Sequence, residues 1–126
     1  MDMRVPDILG GVQEMVSPGA IEFTNAGQPC RLEVALETGE TNFFVLFRDQ
    51  TAGRTTYPTG RFLYVAPPTG ADGAVWLDFN RAYTPPCGYT EFAVCPLPPA
   101  TNWLSFGIPA GEKLPFGYRE HHRSKP

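Results

Sequence analysis

The stretch Arg31-Leu32-Glu33-Val34-Ala35-Leu36-Glu37-Thr38-Gly39-Glu40-Thr41-Asn42-Phe43-Phe44-Val45-Leu46-Phe47 decides the fold class. Leu32, Val34 and Leu36 alternate with Arg31, Glu33 and Glu37, the period of a strand with one buried face. Thr38-Gly39 offers a tight turn in which glycine supplies a positive φ. Phe43 to Phe47 is an unbroken apolar run, which predicts an interior strand covered on both faces. Upstream, Ile21-Glu22-Phe23 alternates and Asn25-Ala26-Gly27-Gln28 reads as a turn, so this region predicts a half-buried hairpin. Downstream, Arg61 to Val65 reads as a strand that stops before Pro67-Pro68. Ala74 to Phe79 follows, with Val75, Leu77 and Phe79 on one face and Trp76, Asp78 and Asn80 on the other. Trp103 to Ile108 is the last expected strand. Six or seven short strands predict an all-β (mainly β) domain, a small antiparallel β-barrel or sandwich with a long Pro-rich loop from Arg81 to Asn102.

Composition agrees. Among 126 residues, 13 Gly and 14 Pro leave no Gly- and Pro-free run longer than Glu40 to Ala52, which excludes a bundle of long helices. The length fits one domain. We read residues 1–18 as a short helix or edge strand, 19–117 as a single β domain and 118–126 as a flexible, solvated tail. A net charge of −3 lacks the basic footprint of a nucleic-acid binder. No apolar run is long enough for a membrane helix, and Met1 to Gly19 lacks the pattern of a signal peptide, so a cytoplasmic protein without a membrane partner is expected. Charged residues are sparse at 18% while aromatics reach 13%, which favours an apolar surface covered by a partner, with a homodimer as the expected form.

Four stretches resemble the family of bacterial and archaeal proteins known as domain of unknown function 1684. They are Phe47-Arg48-Asp49-Gln50-Thr51-Ala52-Gly53 with Tyr57 and Gly60-Arg61-Phe62-Leu63; Leu77-Asp78-Phe79-Asn80-Arg81-Ala82-Tyr83 with Pro85-Pro86-Cys87; Cys95-Pro96-Leu97-Pro98-Pro99 with Asn102; and Ala110-Gly111-Glu112-Lys113. The resemblance spans roughly residues 21 to 113. The chain departs from the family pattern at Thr84, where Asn is common, and at Trp103, where Arg often follows Asn102. The resemblance implies which residues belong together and brings no activity with it.

Their chemistry follows from the residue types. Arg48, Asp49, Tyr57, Arg61, Asp78, Asn80, Arg81, Tyr83, Cys87, Asn102 and Glu112 gather at expected strand ends and in the loop. One reading is a pocket for a small anionic or polar molecule, in which Arg48, Arg61 and Arg81 present planar forks while Asp78, Asn80 and Tyr83 fix orientation. The other is scaffold, each arginine pairing with Asp49, Asp78 or Glu112 to tie the loop to the sheet. Catalysis would rest on Asp78 as base or Cys87 as nucleophile. No Gly-x-Ser-x-Gly turn, P-loop or dinucleotide fingerprint is present, so no cofactor is expected. Cys30, Cys87 and Cys95 lack the close pairing of a structural zinc site even with His121 or His122, and no metal is expected. Cys87 and Cys95 enclose seven residues, a spacing that a folded-back loop can bridge.

Overall fold

The turn at Ala26-Gly27 forms as its residues require. Asn25 pairs with Gln28, leaving a two-residue connection in which Ala26 has φ +51° and Gly27 φ +80°. Two successive positive φ values are the backbone of a type I′ hairpin, whose twist matches that of the strands it joins. In this computed structural model, which describes residues 2–90 and 95–114, the turn links β2 (Val12–Asn25) to β3 (Gln28–Leu36). Before them runs β1 (Asp2–Pro6), and after them come β4 (Phe43–Phe47) and β5 (Arg61–Val65). The five strands form one antiparallel meander in chain order, curled into a half-barrel. Within this segment, residues 2–6 and 12–18 are strand rather than helix, joined by a turn at 7–11, with β1 at the edge of the sheet. The tail at 118–126, residues 115–117 and Phe92 lie outside the described residues.

The sheet has five strands rather than six or seven because two expected strands stay outside it. Ala74 to Phe79 keeps the expected alternation, with Val75, Leu77 and Phe79 half-buried and Trp76, Asp78 and Asn80 exposed. Its backbone joins no ladder, and it crosses the sheet face as a strap. Trp103 to Ile108 likewise joins no ladder: it bends at Ser105-Phe106, forms a parallel bridge between Arg48 and Trp103, and its Phe106 carbonyl accepts the Gln50 N–H at 3.0 Å. Burial period is a property of a chain lying on a surface and does not require a ladder partner.

Both sheet faces are covered. Ile21, Leu32, Val34, Val45, Phe47, Leu63 and Val65 face one cluster, roofed by Val75, Leu77, Phe79, Ala82, Leu104 and Ile108. Met3, Val5, Phe44, Leu46 and Phe62 face the other, with Tyr57, Cys87 and Cys95. Phe44 to Phe47 is buried throughout, as an interior strand covered on two sides must be. Each such side chain contributes about 1.5–3 kcal/mol relative to exposure. β2 serves both clusters: Met15 packs on one, Ile21 and Phe23 on the other, although all three share a parity. A register shift between Val16 and Gly19 adds one residue and exchanges the faces.

The Pro-rich loop runs between the two edges of the open sheet. Near its start, Tyr83 and Phe62 of β5 exchange backbone hydrogen bonds at 2.9 and 3.0 Å. Towards its end, the Ile8 N–H donates to the Cys95 carbonyl and the Leu97 N–H to the Pro6 carbonyl, beside β1. Both edges thus have backbone donors and acceptors engaged.

Candidate functional site

The turn that follows β4 presents Asp49, and the first residue of β5 is Arg61. Both are buried, and Arg61 is 1% exposed. Arg61 Nη2 donates to Asp49 Oδ2 at 3.1 Å and to the Ile108 carbonyl at 2.8 Å. Its Nη1 donates to the carbonyls of Ala110 and Glu112, and the guanidinium lies over the Phe47 ring at 5.3 Å. Asp49 accepts in addition from the Ile108 N–H at 2.7 Å, the Thr51 hydroxyl at 2.6 Å and the Thr51 N–H at 3.2 Å. Burial lowers the Arg61 pKa, and the Asp49 charge opposes that shift. A guanidinium remains cationic in any protein, so the pair is an internal salt bridge with its polar atoms matched. The Arg61 fork is directed inward, at Asp49 and the 108–112 segment.

The other expected residues divide between scaffold and surface. The Asn102 side chain is 0% exposed; its Oδ1 accepts the Glu33 N–H at 2.8 Å, and its Nδ2 donates to the Glu33 and Leu46 carbonyls at 2.9 and 2.8 Å. Strands β3 and β4 pair at Ala35 and Phe44, and continuing that register would set Glu33 opposite Leu46. The Asn102 carboxamide stands between them in place of a ladder bond. Arg48 Nε donates to the Pro58 carbonyl at 3.2 Å, and its guanidinium lies 4.9 Å from the Trp103 ring centroid. Tyr57 donates to the Cys87 carbonyl at 3.3 Å. Glu112 Oε1 accepts the Thr84 N–H at 2.8 Å and the Tyr89 hydroxyl at 2.6 Å. Partial burial pushes the Glu112 pKa up, but these hydrogen bonds outweigh it and the net direction is down. The three cysteines are free thiols.

Asp78, Asn80 and Arg81 lie on the surface. Asp78 Oδ1 accepts from the Asn80 N–H at 3.0 Å and the Asn80 Nδ2 at 3.1 Å, capping a 3-10 turn over Phe79–Arg81. Arg81 is exposed, and its guanidinium has no partner among the described residues. The structure therefore does not bring the three arginines to one surface.

Asp78 and Arg81 border a cleft of about 580 Å³ together with Tyr64, Ala66, Trp76 and Leu77. Trp76 is 92% exposed. Tyr64 also borders a second cleft, about 330 Å³, with Glu37, Phe62, Tyr83 and Cys95 among its walls. Here the Tyr64 hydroxyl donates to Glu37 Oε1 at 3.0 Å, and the Tyr64 and Tyr83 rings stack at 6.2 Å and 14°. Burial raises both tyrosine pKa values, with Glu37 adding to the shift. Tyr64, Trp76 and Glu37 are absent from the residues expected from sequence. Trp76 carried a readable signal, an aromatic on the parity of Asp78 and Asn80; Tyr64 and Glu37 meet across the sheet, which sequence spacing does not show.

Fold and surface together define a β half-barrel with buried polar groups built into its scaffold and an aromatic, arginine-bordered cleft on its exterior. The chain belongs to the family described as protein of unknown function (DUF1684), whose model matches residues 1–113 and so takes in β1 as well as the motifs. Among solved structures, it is similar to the solution NMR structure of an uncharacterized protein from gene locus rrnAC0354 of Haloarcula marismortui, with 31% sequence identity and a TM-score of 0.71. The likeness covers 90% of this chain and 64% of that one, so this chain spans less than two thirds of that relative's length. No curated protein matches the chain. Among the described residues, no helix is long and apolar enough to cross a membrane, and no group of three or more His, Cys, Asp or Glu side chains is placed to hold a metal ion.

Proposed function

We propose that the domain binds a small planar molecule bearing a carboxylate or phosphate, with the ring plane along Tyr64 and Trp76 and the anion at Arg81. The observation that carries this reading is the Arg81 guanidinium, without a partner among the described residues, in a cleft shared with the 92%-exposed Trp76. A guanidinium fork matches a carboxylate or phosphate in two parallel hydrogen bonds. Aromatic walls supply contact area for a flat ring. Asp78 Oδ2 remains for a donor on the ligand, since both bonds from Asn80 go to Oδ1. Binding is favoured over thiol catalysis because burial and the neighbouring Cys95 push the Cys87 pKa up to about 11, which leaves little thiolate at neutral pH.

The test uses Trp103→Phe protein, in which Trp76 is the sole tryptophan, titrated with benzoate, salicylate or inorganic phosphate. The expected result is a change in Trp76 emission and a raised melting temperature with the aromatic acids, both lost in Arg81→Ala. Equal responses with and without Arg81 would remove it from any anion site. A second reading, a homodimer, is favoured by the exposure of Ile8, Leu9, Val12 and Val16 on and between β1 and β2. Sedimentation of Leu9→Asp and Val12→Asp variants checks it, with a dimer in the parent and monomers in the variants as the expected result.

A further inference from the structure

A second group of side chains lies apart from the Arg81 cleft and takes no part in the binding just described. Cys87 and Cys95 are 7% and 4% exposed and pack in the same apolar cluster. Cys95 Sγ accepts the Cys87 N–H at 3.3 Å. Several contacts fix the backbone around them. Cys87 sits in a 3-10 turn, Pro86–Gly88, whose first residue is a proline, and the Tyr57 hydroxyl holds its carbonyl. Cys95 is followed by Pro96, and its carbonyl accepts the Ile8 N–H at 3.0 Å. Cys87 follows the part of the loop bonded to β5, whereas Cys95 belongs to the part bonded to β1. A bond between the sulfurs would therefore join the two edges of the half-barrel. Cys95 also borders the cleft that holds Glu37, Tyr64 and Tyr83, which gives a small oxidant a route to the pair.

We propose that Cys87 and Cys95 form a redox-modification site, in which a hydroperoxide converts the two free thiols into one intramolecular disulfide. The Cys95 sulfur attacks the peroxide: an S–O bond forms, the O–O bond breaks, and the leaving oxygen departs as alcohol, or as water from hydrogen peroxide, with the thiol proton. The Cys87 sulfur then attacks the resulting sulfenic acid: the S–S bond forms, the S–O bond breaks, and the second oxygen leaves as water with the Cys87 proton. The thiols together lose two electrons, and one peroxide is reduced. Cys95 attacks first because it borders the cleft. Cys87 resolves the sulfenic acid from within the apolar cluster that it shares with Cys95.

The test starts from folded Cys30→Ser protein treated with hydrogen peroxide, quenched, unfolded and alkylated with iodoacetamide. Intact mass should show loss of both alkylation sites and of two hydrogens, restored by dithiothreitol. Two alkylated cysteines after treatment, or oxygen addition without a disulfide, would overturn the proposal. Equilibration in dithiothreitol redox buffers gives a second reading. The fold holds the Cys95 sulfur against the Cys87 backbone N–H, so the disulfide should have a lower reduction potential in the folded protein than in guanidinium. An equal or higher potential in the folded protein would also overturn it. In Cys87→Ser, dimedone should trap a sulfenic acid on Cys95; an unlabelled Cys95 would refute the order of attack.

Discussion

Replacing Asn102 by Ala tests the most exacting feature of the fold. The substitution removes three hydrogen bonds and leaves the Glu33 N–H, the Glu33 carbonyl and the Leu46 carbonyl facing an apolar methyl between β3 and β4. A buried polar group left unmatched costs about 1–3 kcal/mol. Partial relaxation of the strands keeps the total near the lower end, so we expect a loss of about 3–5 kcal/mol, a large share of the roughly 5–15 kcal/mol available to a domain. Urea unfolding followed by circular dichroism measures it, with the exposed Thr101→Ala as a control expected to stay within about 0.5 kcal/mol. Asn102→Asp sharpens the argument. It preserves shape but turns an oxygen towards the Glu33 and Leu46 carbonyls, and should cost at least as much as Ala. A cost below about 1 kcal/mol for Asn102→Ala would mean that β3 and β4 close directly, Glu33 against Leu46, and that the inserted carboxamide is dispensable.

Three further outcomes follow from the same geometry. Arg61→Met strands the buried Asp49 carboxylate and should cost about 3–5 kcal/mol, whereas Arg61→Met with Asp49→Leu should recover part of that loss; denaturant midpoints of the two variants and the parent decide. Glu112 has a folded pKa below its unfolded value, so the stability it adds is present above the unfolded value near 4.3 and is lost as pH falls through the folded one; Glu112→Gln should flatten that part of the stability–pH curve and leave a smaller difference from the parent in acid. Gly60 has φ +122°, and a Cβ there would meet the Phe47 carbonyl and Pro98 Cγ, so Gly60→Ala should lower stability by about 1–3 kcal/mol or more, read as a fall in melting temperature.

The hairpin, the doubly covered run at Phe43–Phe47 and the strand at Arg61–Val65 were legible because each is encoded by neighbours in sequence: a turn that needs positive φ, a period of two, a block of large apolar side chains. The same local signal overstated the strand count at Ala74–Phe79 and Trp103–Ile108. Alternation reports which side chains face a core and says nothing of whether the backbone has a partner. The division of labour among the motif residues was not readable. Arg61 and Arg81 look alike as sequence. One lies at the start of β5 beneath the 108–112 segment, where it must be matched, and the other ends a capped 3-10 turn on the exterior.

Sequence alone determined an all-β chain without long helices, its β2–β3 hairpin and its membership-bearing motifs, since these rest on local conformational preference and composition. Tertiary structure decided which polar groups are scaffold and which face solvent. It set Asn102 between β3 and β4, 69 residues from Glu33, sealed Arg61 against Asp49, brought the Cys95 sulfur to the Cys87 backbone and opened the cleft at Trp76 and Arg81. The physical reason is range: turn and strand preferences act over a few residues, whereas burial and hydrogen-bond satisfaction depend on groups that meet after the chain has curled.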